Sequence, residues 1–157
     1  MIAAPRDALY LERKIFEITG HGGLPGLRFI LLNGVSSIEE SGAVSKAHNT
    51  EVRSSIGFEG LDVFGLECVH LDGIHLWLDA GLYEIISDIN LARESQETDY
   101  KPLGEWLWES KRGITGELVI TNFNEVMPLI RYRTGIRVEY AGSECLCGRT
   151  HPRIKMI

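Results

Sequence analysis

The pattern of apolar and polar positions changes character partway along the chain. Over residues 9–18, Leu9, Leu11, Ile15, Phe16 and Ile18 recur among charges at loosely helical spacing, and Gly20 supplies a helix stop. The Gly-Gly-Leu-Pro-Gly stretch at 22–26 reads as a loop. Phe29, Ile30, Leu31 and Leu32 then form an unbroken apolar run, which suits a strand buried on both faces, with helix as the competing reading for so short a run. Ser36 followed by Glu39 has the pattern of a capping box opening a short helix toward Lys46, and residues 51–56 read as the next strand. A strand, helix and strand in succession predict a right-handed parallel crossover, so residues 27–60 should form the edge of an α/β sheet.

After Gly60 the spacing shortens to strands punctuated by turns, expected at 63–68, 74–78, 83–87, 105–109 and 117–121, with the polar stretch 87–104 as a long surface loop. The fold class that follows is α/β: a partial parallel α/β sheet unit and then a mostly antiparallel β subdomain. The expected division is a sheet lobe at 1–60, a β-rich subdomain at 61–144 and a Cys/His tail at 145–157. No internal repeat or low-complexity segment interrupts it.

Composition adds exclusions. The 157 residues are 44% hydrophobic and 24% charged, in the globular range, and a chain of this size buries about two-thirds of its unfolded surface. A net charge of -6 argues against nucleic acid, which demands a concentrated basic face. The one basic cluster, Arg149, Arg153 and Lys155, reads as a solvated end. No apolar run approaches the roughly 18 residues of a membrane span, and the start lacks a signal-type apolar core, so neither membrane nor export is expected and the cytoplasm is. Three cysteines cannot all pair within one chain, which leaves metal ligation or simple burial.

Three blocks carry the most information: Thr-Gly-Glu-Leu-Val-Ile-Thr at 115–121, Pro-Leu-Ile-Arg-Tyr-Arg-Thr-Gly at 128–135, and Cys-Leu-Cys-Gly-Arg-Thr-His-Pro-Arg-Ile at 145–154. In order and spacing they resemble the phenylacetate-CoA ligase branch of the AMP-forming, adenylate-forming superfamily. Phe-Gly-Leu-Glu-Cys at 64–68, Gly-Ile-His-Leu-Trp-Leu-Asp at 73–79, Tyr-Glu-Ile-Ile at 83–86 and the strand with its glycine turn at 27–34 extend the resemblance to residues 25–157.

The resemblance implies an ATP-dependent ligase that converts an aryl or acyl carboxylate to an acyl-adenylate, releases pyrophosphate, and passes the acyl group to coenzyme A. Cradling a triphosphate takes backbone donors, lysine and magnesium. The sequence has no Gly-rich Ser/Thr loop ending in lysine. The resemblance also implies that the chain stops at Ile157, ahead of the hinge and the small carboxy-terminal domain that supplies the catalytic lysine; neither Lys155 nor any other lysine takes that role.

The implied nucleotide positions are Gly34 in the glycine turn, Gly57 and Glu59 in a shortened form of the segment that packs on adenine and meets magnesium, and Arg133 and Thr134 in Tyr-Arg-Thr-Gly. Ile136 stands where the family has the aspartate that accepts hydrogen bonds from the ribose, and isoleucine accepts none. Read without the resemblance, Glu59 is an ordinary solvated carboxylate, and Arg131 and Arg133, two apart, share a solvated strand face. Trp77, Trp106 and Trp108 read as core or half-buried strand residues.

Cys145 and Cys147 in their Cys-x-Cys-Gly turn can hold one metal, and a closed zinc tetrahedron needs two further nitrogen or sulfur ligands. Cys68 and His75 are the leading partners, with His70 and His151 in reserve; the resemblance supports this set as a structural zinc site, and buried free cysteine is the alternative. Three readings therefore stand: part of a ligase inactive on its own, a non-catalytic zinc-stabilised binding module on the same scaffold, or a remnant without a role. Uncovered sheet surface would also predict self-association or a complementing chain.

Overall fold

The structure, a computed structural model, describes residues 2–24, 26–33, 38–57 and 63–157. It divides into two compact units, Met1–Glu67 and Cys68–Ile157.

The first unit is built on the expected crossover. Strand β1 (Ile2–Ala3) leads into helix α1 (Pro5–Thr19), followed by β2 (Phe29–Asn33), α2 (Ile38–His48), β3 (Glu51–Gly57) and β4 (Val63–Glu67). Pro5 opens α1 where its missing N–H costs nothing, and Gly20, at φ 73°, ends it with its N–H on the carbonyl of Phe16. Strands β1, β2 and β3 pair in parallel, and β4 closes antiparallel on β3. The core joins Ala8 of α1, Ile30 and Leu32 of β2, Val44 of α2 and Val52 of β3.

One expectation is corrected here. The run at 29–32 is not buried on both faces: Ile30 and Leu32 are fully buried, whereas Phe29 is half exposed and Leu31 intermediate, the alternation of a strand covered by helix on one side. The capping pair's Ser36 lies outside the described residues.

The second unit is antiparallel throughout. Strands β5 (Ile74–Leu76), β6 (Gly81–Ser87), β7 (Glu105–Trp106), β8 (Thr115–Asn122), β9 (Tyr132–Gly142) and β10 (Arg153–Met156) run in the order β5-β10-β9-β8-β6-β7. Their apolar faces carry Tyr83, Ile85, Leu118, Ile120, Val138 and Ile154, each fully buried. Trp106 and Trp108 stack with ring centroids 5.0 Å apart.

Two further expectations are corrected. The stretch 87–104 contains helix α3 (Asp88–Gln96), capped by the Ser87 hydroxyl on the Asn90 N–H; because it buries no residue fully, it has no apolar stripe to betray it. The basic end is solvated only in part: Arg149 and Lys155 are exposed, but β10 lies between β5 and β9, and Arg153 is 2% exposed.

Candidate metal centre

The second unit brings four potential ligands together. Cys68 opens a turn, closed by the Leu71 N–H on its carbonyl, that runs through Leu71 and Gly73, both at positive φ, into β5. His75 sits in the middle of β5, opposite Arg153 of β10. Cys145 and Cys147 flank the exposed Leu146 in the turn between β9 and β10, which closes through the Gly148 N–H on the Cys145 carbonyl. Glycine is required at 148, where φ is 80°.

One ligand atom from each of Cys68, His75, Cys145 and Cys147 lies within 4.8 Å of all the others. Cys68 Sγ is 3.7 Å from Cys145 Sγ, and Cys147 Sγ is 3.5 Å from His75 Nε2. Cys68 and His75 are buried, while the two turn cysteines are half-buried. His70 is exposed, and neither it nor His151 belongs to the group of four, although the His151 backbone hydrogen-bonds to His75.

The electrostatics suit a cation. Burial pushes the His75 pKa down, with the Arg153, Arg149 and His151 charges adding to it, so the imidazole stays neutral and keeps a lone pair. Hydrogen bonding from the Cys147 backbone lowers the Cys145 thiol, and nearby Arg153 assists. Desolvation raises Cys68, with the neighbouring thiols adding to it, so its thiolate is disfavoured unless a cation lies beside it.

Arg153 reinforces the arrangement, a role its sequence position among solvated basic residues did not suggest. Its guanidinium donates to the carbonyl and carboxylate of Asp72, each at 2.6 Å, and to the carbonyls of Ala141 and Glu144. The signal available in sequence was the alternation Arg153, Ile154, Lys155, Met156, a short strand.

The implied nucleotide residues fall differently. Gly34 and Glu59 lie outside the described residues. Gly57 ends β3 opposite Val63, just past an irregularity in the β3–β4 register. Arg133 is held by Glu117, at 3.0 Å from Nε, and by Glu94, at 2.7 Å from Nη1. The Thr134 hydroxyl donates to the Leu118 carbonyl at 2.7 Å and accepts the Ile136 N–H. Glu117 also accepts the Gly135 N–H; burial works to raise its pKa, but the Arg133 hydrogen bonds, the Gly135 N–H and the Arg133 and Arg137 charges together hold it low. Arg131 pairs with buried Glu84 at 3.1 Å; both arginines are exposed, as a solvated face would be, and also make specific ion pairs.

No protein-family model matches the sequence. The fold is that of part of the acyl-CoA ligases of the adenylate-forming superfamily. It matches 2-hydroxyisobutyryl-CoA ligase, solved in an open conformation with 2-HIB-AMP and CoA, at TM-score 0.72 and 18% identity, over 98% of this chain and 34% of that one. An acyl acid amido synthetase matches at TM-score 0.56 and 16% identity, over 85% of this chain and 22% of that one.

In sequence, the chain is 31% identical over 122 residues to the phenylacetate-coenzyme A ligase of Thermus thermophilus, a match that covers 70% of this chain and 24% of that relative. The chain is therefore a homologue of phenylacetate-coenzyme A ligase over a minor part of that enzyme's length.

Proposed function

We propose that this chain is a zinc-stapled, β-rich segment of an ATP-dependent, AMP-forming acyl-CoA ligase, and that it does not activate a carboxylate by itself. The observation that carries the reading is the convergence of Cys68, His75, Cys145 and Cys147 to within 4.8 Å on a ligase-like scaffold. Three sulfurs and one imidazole are a zinc donor set, and four protein ligands leave no position for substrate. Bound there, the ion supplies a cross-link between two turns distant in sequence: Cys68 and Cys145 are 77 residues apart, and His75 and Cys147 are 72 apart. Metal binding thereby adds to folding stability.

Ligase chemistry would join a small-molecule carboxylate to AMP, with release of pyrophosphate from magnesium-bound ATP, and then to coenzyme A. What supports inactivity in isolation is the lack of a phosphate loop in the sequence, Ile136 at the ribose position, and the engagement of Arg133 and Thr134 within the β8–β9 pair. A non-catalytic module on this scaffold is the second reading, favoured by the same Ile136. Phe123, Val126 and Ile130, between 55% and 94% exposed, suit self-association or a complementing chain. Free thiols fit the reducing cytoplasm. No helix among the described residues is long and apolar enough to cross a membrane.

Elemental analysis of the purified chain should find stoichiometric zinc, and serine at Cys145 or Cys147 should abolish it; a folded, metal-free wild type would end the zinc reading. Calorimetric titration with ATP and magnesium should show no saturable heat, whereas clear saturation would restore the chain as a nucleotide-binding body.

A further inference from the structure

We propose that Cys68 and Cys145 form a peroxide-driven disulfide that dismantles the metal centre, making the site a target of oxidative modification. The inference rests on the zinc reading above and adds a regulation to it.

Geometry selects the pair. The two Sγ atoms are 3.7 Å apart, whereas Cys147 Sγ is engaged by His75 Nε2 at 3.5 Å. The pair has that gap to close to reach the roughly 2.05 Å of a disulfide. Access divides the labour between the partners. Cys145 is half-buried beside Leu146, which is 90% exposed, so a small oxidant reaches it from solvent; Cys68, at 3% exposure, is reached by its neighbour.

The oxidant is hydrogen peroxide. The Cys145 thiolate attacks one peroxide oxygen, an S–O bond forms, the O–O bond breaks, and the departing hydroxide takes a proton to become water. The Cys68 thiolate then attacks the sulfenic sulfur: the S–S bond forms, the S–O bond breaks, and a second hydroxide leaves and is protonated. Two sulfurs lose two electrons in all, and peroxide gains them to give two waters. Cys147 and His75 are left as ligands, too few for a structural zinc tetrahedron, so the ion departs. The resulting loop joins the turn before β5 to the turn before β10, the same two turns the metal would tie.

The experiment treats the full metal-loaded chain with graded hydrogen peroxide, follows zinc release with a chromophoric chelator, and maps linkages by non-reducing peptide mass spectrometry. The expected result is a Cys68–Cys145 linked peptide in proportion to the zinc released, reversed by dithiothreitol with added zinc. Retention of zinc at peroxide levels that oxidise exposed methionine would overturn the proposal. So would release accompanied by a Cys145–Cys147 link, or by sulfinic acid at Cys145 with Cys68 still reduced. In the variants, which hold no zinc and are read by linkage alone, Cys147→Ser should keep the link and Cys68→Ser should lose it; mapping the wild type decides the pairing even if either variant fails to fold. Metal analysis before peroxide separates the two ideas, because a chain without zinc ends the zinc reading while its linkage map still tests the pair.

Discussion

Arg153 binds Asp72 through both the carboxylate and the carbonyl, each at 2.6 Å, and thereby fixes the turn that leads from Cys68 to His75. Its other terminal nitrogen holds the carbonyls of Ala141 and Glu144, the latter directly before Cys145. One guanidinium thus spans both ligand-bearing turns. A zinc ion with three thiolates and a neutral imidazole carries one net negative charge, and a buried cation beside it offsets that charge at short range.

Replacing Arg153 with Met should therefore do two things. It leaves backbone carbonyls in a buried region without donors, which should cost about 2 kcal/mol in chemical unfolding. It should also weaken zinc about 10- to 100-fold in competition with a chelator, the usual effect of losing an outer partner of a metal site. A stability loss with unchanged zinc affinity would mean that Arg153 serves the sheet alone.

The same ion pair predicts an acid limb. Hydrogen bonds from Lys155 and then Arg153 hold Asp72 at a pKa of about 2, below its ordinary 3.8. A folded value below the unfolded one means stability that is fully present above about pH 4 and disappears as pH falls through about 2. The difference in unfolding free energy between wild type and Asp72→Asn should be constant near neutrality and shrink across that interval. Metal loss in acid affects both chains and largely cancels in the difference. The effect should be small, since the Asp72 side chain is 43% exposed. A gap unchanged down to pH 2 would show that the carboxylate's charge contributes nothing.

What the sequence disclosed follows from what each element buries. The β2–α2–β3 crossover was legible because Ile30, Leu32, Val44 and Val52 meet in one core and imprint period and caps on the chain. Helix α3 was not, because it packs no fully buried residue and left only Ser87 and Asp88 as a start signal. Strand β9 was masked by its charged residues Arg133, Arg137 and Glu139; the partners of the two arginines, Glu117, Glu94 and Asp88, come from β8 and α3, distant in sequence. The metal ligands were nameable as residue types, but Arg153 was misread as a solvated charge: nothing in a local window announces that two turns, one of them 81 residues away, will supply its acceptors.

The Arg133–Glu117 pair should respond asymmetrically to substitution. The Glu117 side chain is 9% exposed, against 43% for Arg133. Removing the arginine strands a buried carboxylate, whereas neutralising the acid frees a cation that reaches water. Arg133→Ala should cost about 2 to 3 kcal/mol and Glu117→Gln nearer 1, measured by denaturant unfolding. Equal costs would mean that Glu117 is better hydrated than its burial implies.

Gly116 offers the sharpest test of the sheet itself. It pairs with Ser87 of β6 on one side and Val138 of β9 on the other, so no edge is free to move. A Cβ built at this position lies 2.0 Å from the carbonyl oxygen of Ile86 and 2.7 Å from its carbon, closer than non-bonded atoms approach. The obstruction is backbone, which no rotamer change relieves, so β6 and β8 must part locally and lose ladder hydrogen bonds. Gly116→Ala should cost about 3 kcal/mol or more, within the class of overpacking changes that exceed ordinary substitutions. Gly113→Ala is the matched comparison: its Cβ meets nothing within 4 Å, and its cost, from a φ of 88°, should be only about 1 kcal/mol. Thermal unfolding that places the two variants together would show that β6 and β8 yield more readily than their pairing suggests.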